Sequence, residues 1–226
     1  VILTVDADGS SGNGEGNGGQ QPEAGDVTNG LYAYYKFEGD FDDASGNGVH
    51  GNGINNPSFA DGVKSGTRAV KFSRSDKSSF SVADPILDSE TLTVSFWAKD
   101  LSDGNLFYLL SSNGNEPMFS LTMSNGALKF VVTRYNVEYQ LGNCPAFSHA
   151  SLADGKWHHI VLTSDFNNLD YATITTTLYI DGRKADVVTE EANPFSENGG
   201  SQSSYGTGTK FVLGGELQVR SQTKAN

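Results

Sequence analysis

From Leu31 onward the chain is written almost entirely in short runs that alternate apolar and polar residues, broken by Gly-, Asn- and Asp-containing turn dipeptides. An alternation of period two sorts side chains onto the two faces of an extended strand, and no run keeps a helical period beyond a turn or two. In TLTVSFWAK, residues 91 to 99, Leu92, Val94, Phe96 and Ala98 share one face, and Thr91, Thr93, Ser95, Trp97 and Lys99 share the other. The first face is core. ATITTTLYI, residues 172 to 180, places Ala172, Ile174, Leu178 and Ile180 inward and Thr173, Thr175, Thr177 and Tyr179 outward. Thr-rich outer faces suit antiparallel strands with one solvated side. Asn125-Gly126 and Asp181-Gly182 each sit between two alternating runs, the strongest short hairpin signal, because a type I′ turn needs positive φ at both central residues. Asn113-Gly114 predicts a longer hairpin loop. About a dozen short strands folded this way make an all-β, antiparallel two-sheet sandwich.

A chain of 226 residues can bury about 70% of its unfolded surface, so a sandwich of this size needs no staples. None is available, since Cys144 is the only cysteine and is read as a free thiol. The net charge of −12 repels phosphate backbones and anionic headgroups, which argues against nucleic acid as a partner. No run approaches the roughly 20 apolar residues of a membrane-spanning helix, so direct membrane insertion is not expected.

The first thirty residues read differently. VILTV, residues 1 to 5, has strand composition and is expected either to end a preceding domain or to add a strand along Leu31–Glu38. Residues 6 to 30 are dense in Gly, Ser, Asn and acidic side chains without one aromatic, the composition of a flexible linker. The folded domain is expected over residues 31 to 226, and a chain that opens on Val1 is read as a piece of something longer.

Three stretches together resemble the laminin-G-like, concanavalin-A-like jelly rolls of bacterial surface proteins. LYAYYKFEGDFDDASGNGVHG, residues 31 to 51, resembles the family's opening strand and following loop. LADGKWHHIVLTSD, residues 152 to 165, resembles its Asp-Gly-Lys-Trp-His-His signature, and TTLYIDGRKAD, residues 176 to 186, resembles the hairpin after it. The resemblance implies a jelly-roll sandwich over roughly Leu31 to Gly215. It also implies a closing strand beside the first, which no segment before Asn226 matches.

The fold hosts lectins, adhesion modules and glycanases alike, so function must come from particular residues. Trp97 lies on the polar face of its strand, where a flat ring can stack on the C–H face of a pyranose; it is the leading glycan platform. Tyr135, Asn136 and Tyr139 gather aromatic rings and an amide near a predicted sheet rim and complete the expected carbohydrate site. Asp42, Asp43 and Asn47 form an oxygen-rich, Gly-containing loop of the kind that holds a structural calcium ion, although Asx-turns use the same residues. His158 and His159 are neighbours in a strand, so they point to opposite faces and are expected in structural hydrogen bonds rather than on one metal ion.

A glycanase of this fold would present a run such as Glu-x-Asp-x-x-Glu on one strand, and none exists. The nearest acidic pair, Glu190 and Glu191, is read as a loop. These features point to a non-catalytic, lectin-like module that binds a glycan or polysaccharide. A protein-contact, adhesion or spacer module facing neighbouring domains or surface proteins is the alternative, and a glycoside hydrolase stands third. The free cysteine and the lack of an Asn-x-Ser/Thr acceptor suit an extracellular or cell-surface bacterial protein.

Overall fold

The computed structural model describes residues 2–4, 31–83, 91–110, 117–124, 127–132, 152–165, 173–191 and 210–215. Thirteen strands are present among them: β1 (Ile2–Thr4), β2 (Asn52–Ile54), β3 (Ser58–Asp61), β4 (Arg68–Lys71), β5 (Ser79–Ala83), β6 (Thr91–Lys99), β7 (Gly104–Leu110), β8 (Pro117–Ser124), β9 (Ala127–Val132), β10 (His158–Asp165), β11 (Thr173–Ile180), β12 (Arg183–Glu191) and β13 (Lys210–Gly214). They form a seven-stranded sheet in the order β12-β11-β10-β6-β1-β4-β3 and a six-stranded sheet in the order β2-β5-β13-β7-β8-β9. Every pairing is antiparallel. The chain is an antiparallel two-sheet jelly-roll sandwich.

The inward rows follow from the alternation. Phe96 and Ala98 of β6, Ile160 and Leu162 of β10 and Leu178 of β11 are buried from one sheet, and Phe80, Phe107, Leu121, Leu128 and Leu213 from the other. The Asp181-Gly182 turn has φ of 51° and 73°, the two left-handed residues that a type I′ turn needs, and closes Ile180 against Arg183. Ser124 pairs with Ala127, which gives β8 and β9 the expected register. Among the described residues there is no helix long and apolar enough to cross a membrane.

The structure corrects three expectations. Among the described residues Leu31–Glu38 joins no ladder: its only pairing there is the isolated bridge Tyr35–Asp43, and Phe37 takes a left-handed φ of 57° that breaks an extended run. Two of its aromatics, Tyr35 and Phe37, turn inward onto Phe80 at ring-centroid distances of 4.7 and 5.1 Å, while Tyr32 stays exposed. Residues 2–4 do not line Leu31–Glu38: β1 lies inside the seven-stranded sheet between β4 and β6. Glu190 and Glu191 belong to β12, paired with Ile174 and Thr173, because the β11–β12 ladder runs through the expected loop.

Candidate functional site

The register of β6 against β10 decides what surrounds Trp97. His159 is its direct cross-strand partner, Val161 pairs with Ser95, and Tyr179 of β11 pairs with Val161. These outward side chains form one partly exposed patch on the face turned away from the core. The Trp97 and His159 rings stack with centroids 4.9 Å apart and planes 23° from parallel, and His159 Nε2 lies 2.9 Å from Ser95 Oγ. Partial burial pushes the His159 pKa down, against a weaker opposing pull from Asp181, so the imidazole is neutral at neutral pH. The result is a flat aromatic surface held in place on one side by a neutral ring and rimmed by the hydroxyls of Ser95, Thr93 and Thr163.

His158 points to the opposite face, as adjacent strand residues must. Its Nδ1 lies 2.9 Å from Asp181 Oδ2 and its Nε2 lies 3.0 Å from Asp154 Oδ1. An imidazole can donate from both nitrogens only as the cation. Burial alone would lower its pKa, but the hydrogen bonds that it donates to Asp181 and Asp154 raise it. Asp181 Oδ1 also accepts the His159 N–H at 2.9 Å, while the Asp181 N–H donates to the His159 carbonyl at 2.9 Å. The Lys156 side chain and N–H, followed by His158, hold the Asp154 carboxyl well below the usual carboxylate range. This network pins the β11–β12 turn to the start of β10 and fixes the backbone that carries His159.

The acidic loop is organised differently. Asp43 Oδ1 accepts the N–H groups of Tyr34 and Ser45, both at 2.9 Å, while Oδ2 accepts Ser45 Oγ at 2.7 Å and the Val49 N–H at 3.0 Å. Those four bonds fill the lone-pair sites of the carboxylate. Burial would raise the Asp43 pKa, but these donors outweigh it and hold the carboxyl at about 2. Asn47 turns its amide nitrogen, a donor, onto the carbonyls of Leu31 and Tyr32, both at 2.9 Å. Asp42 is exposed and approaches His50 Nδ1 at 3.2 Å. A calcium ion wants several free oxygens facing one point. Asp42, Asp43 and Asn47 do not fit that requirement, and among the described residues no group of three His, Cys, Asp or Glu side chains is placed to hold a metal. The loop is an Asx-type brace.

Of the expected carbohydrate site, Trp97 stands on an exposed face, whereas Tyr135, Asn136 and Tyr139 lie outside the described residues. The contribution of His159 escapes sequence reasoning. Its alternation gave the correct face, but its partner depends on the pairing of β10 with β6, which are distant in sequence.

With this geometry in hand, comparison with known proteins places the chain. The profile of the concanavalin A-like lectin/glucanases superfamily matches residues 73–216, more than half of the 226, and the chain belongs to that superfamily. A search of the curated proteins found no match. Among solved structures, the binding domain of Paraclostridial Mosquitocidal Protein 1 is similar at a TM-score of 0.50 and 18% identity, over 77% of this chain and 41% of that one. Domains LG4-5 of the mouse laminin alpha1 chain align at a TM-score of 0.38 and 20% identity, over 65% of this chain and 35% of that one. The endo-beta-1,4-glucuronan lyase of the fungus Trichoderma reesei aligns at 0.46 and 15%, over 74% of this chain and 76% of that one. The chain spans about two fifths of the length of the toxin structures that it matches. At 18% identity the likeness to the mosquitocidal-protein binding domain concerns the fold alone.

Proposed function

We propose that this chain is a non-catalytic glycan-binding module of a secreted or cell-surface protein, with its site on the outward face of β6 and β10. The observation that carries the reading is the Trp97–His159 stack: a partly exposed indole oriented by a neutral imidazole and surrounded by Ser and Thr hydroxyls. A ring so placed offers its π surface to sugar C–H groups, and the hydroxyls can exchange hydrogen bonds with a sugar. The non-catalytic part of the reading is supported by the chemistry of the nearby carboxylates. Asp154 and Asp181 approach a common group, but both are engaged by His158, so neither stands ready as nucleophile or acid. A protein-contact role for the same face is the second reading, since aromatic and Thr-rich sheet faces also serve protein partners.

A glycan array probed with wild type and Trp97→Ala tests this. Signal on a defined set of glycans that disappears in the variant, with an unchanged circular dichroism spectrum, is the expected result. Retention of that signal by the variant removes Trp97 from the site, and a blank array with wild type favours the protein-contact reading.

A further inference from the structure

The outward face of the seven-stranded sheet is opposite in charge to the chain as a whole. Asp and Glu outnumber Lys and Arg by 27 to 15 in the sequence. Ladder partners share a face, and Ile2 pairs with both Lys71 of β4 and Lys99 of β6. The two lysines therefore stand in one row on the outward face, two residues along β6 from Trp97. Lys71 is exposed and Lys99 partly exposed. On the other side of Trp97, the row of Ser95, Val161 and Tyr179 ends at Lys184 of β12, also exposed.

An irregularity in the ladder puts Lys184 there. Leu178 pairs with Asp186, so a regular ladder would set Ala185 opposite Tyr179; the register shifts at that point, and Tyr179 meets Lys184 instead. Ala185 turns in and packs against the core. A bulge re-aims the neighbouring side chain, and this one exchanges a methyl group on the outward face for an ammonium. Among the described outward side chains of the sheet there is no carboxylate, and among the described residues no ion pair engages Lys71, Lys99 or Lys184. The Asp181 carboxylate at the adjoining turn is held by His158 and by the His159 N–H. Charges beyond a Debye length, about 8 Å at physiological salt, are largely screened, so close to this face the lysines set the potential despite the acidic surplus elsewhere.

Four residues of β6 separate Lys99 from Ser95, and three strand spacings separate Ser95 from Lys184. Each is about 14 Å, which sets the two lysines about 20 Å apart at the backbone. The Trp97–His159 stack and Tyr179 lie between them.

We propose that the ligand of this face is a polyanionic oligosaccharide, a run of carboxylate-bearing sugars laid across the strands from Lys71 and Lys99, over Trp97, to Tyr179 and Lys184. The proposal rests on the glycan reading of the Trp97–His159 face and adds the charge and the length of what it binds. The aromatic rings take the C–H faces of the middle sugars, and the ammonium groups take acid groups toward the two ends. A neutral chain keeps only the stacking, and a short acidic one reaches only one cationic end.

The test uses the full chain and two matched pairs of hexasaccharides: cellohexaose with its β-1,4-linked glucuronic acid counterpart, and β-1,4-mannohexaose with its mannuronic acid counterpart. Calorimetry reads the affinity, and the Trp97 indole N–H signal reads the site. In at least one pair the acidic member should bind at least about tenfold more tightly than the neutral one, with both moving the Trp97 signal. Single exposed ion pairs contribute little, so Lys99→Gln or Lys184→Gln alone should weaken the acidic sugar by about two- to fivefold and leave the neutral one unchanged. Adding Lys71→Gln to both should erase the preference; none of the three side chains is buried, and an unchanged circular dichroism spectrum checks the fold. Acidic and neutral members that bind alike in both pairs overturn the proposal and leave the glycan reading standing. So does a preference that survives the triple variant, or one equally large in the corresponding disaccharides. A Trp97 signal that stays fixed under all four hexasaccharides overturns both.

Discussion

Asp43→Asn isolates the brace that holds the segment before β2 against the sandwich. Asn has the shape of Asp but trades one acceptor oxygen for a donor nitrogen, which must face either the Val49 N–H and Ser45 Oγ or the N–H groups of Tyr34 and Ser45. The wild-type carboxyl is held at about 2 against an ordinary 3.8. At about 1.4 kcal/mol per pH unit, that preference for the charged form is worth roughly 2.5 kcal/mol. A folded pKa below the unfolded one gives stability that is present above about pH 4 and lost as pH falls toward about 2. Urea unfolding of both proteins, followed by tryptophan fluorescence across that range, should therefore show the variant weaker by about 2 to 3 kcal/mol near neutrality. The gap should close toward about pH 2, where the wild-type carboxyl gains a proton and presents the same conflict of donors. A gap below about 0.5 kcal/mol near neutrality, or one that ignores pH, would refute the assignment of Asp43 as a charged brace.

Other substitutions probe other layers. A Cβ at Gly51 would overlap the Phe80 ring, which is fully buried and boxed in by Tyr35, Phe37 and Phe41, so Gly51→Ala should lose about 2 to 3 kcal/mol in chemical denaturation rather than gain the usual entropy benefit. His158 has a raised pKa, so the stability that it contributes is full below its unfolded pKa of about 6.5 and fades as pH rises through the folded value. Nitrogen-15 spectra should show both ring nitrogens protonated at neutral pH, and His158→Gln should abolish the alkaline part of the melting profile. Because the Asp43 oxygens are already filled, neither chelator nor excess calcium should move the melting temperature through this loop; a rise with calcium that Asp43→Asn removes would contradict the brace.

The sequence displays the faces of individual strands, because alternation in TLTVSFWAK and ATITTTLYI reports directly which side chains turn inward. It also displays local pairing, as at Asp181-Gly182, where two residues encode the turn. It does not display which distant strands become neighbours. The stack of His159 on Trp97 and the seat of β1 between β4 and β6 both arise from such long-range choices. Leu31–Glu38 misleads for another reason: its aromatic alternation is strand-like, but Tyr35 and Phe37 gain more by filling the core beside Phe80, and one left-handed residue at Phe37 is enough to end the extended run. The acidic loop shows the limit of composition, since the same Asp-rich text can hold an ion or satisfy backbone donors, and only the directions of the N–H groups distinguish the two.

A sugar received by the Trp97–His159 face would sit on one of the two tryptophans of the chain, Trp97 and Trp157, which can be observed separately. Indole Nε1–H signals, assigned through Trp157→Phe, can be followed during titration with cello-, xylo-, manno- and laminari-oligosaccharides. At least one of these sugars should move the Trp97 signal in a saturable way and leave the Trp157 signal in place. A Trp97 signal that stays fixed under every sugar, or a sugar that binds and moves only Trp157, would rule out a sugar site on the Trp97–His159 face.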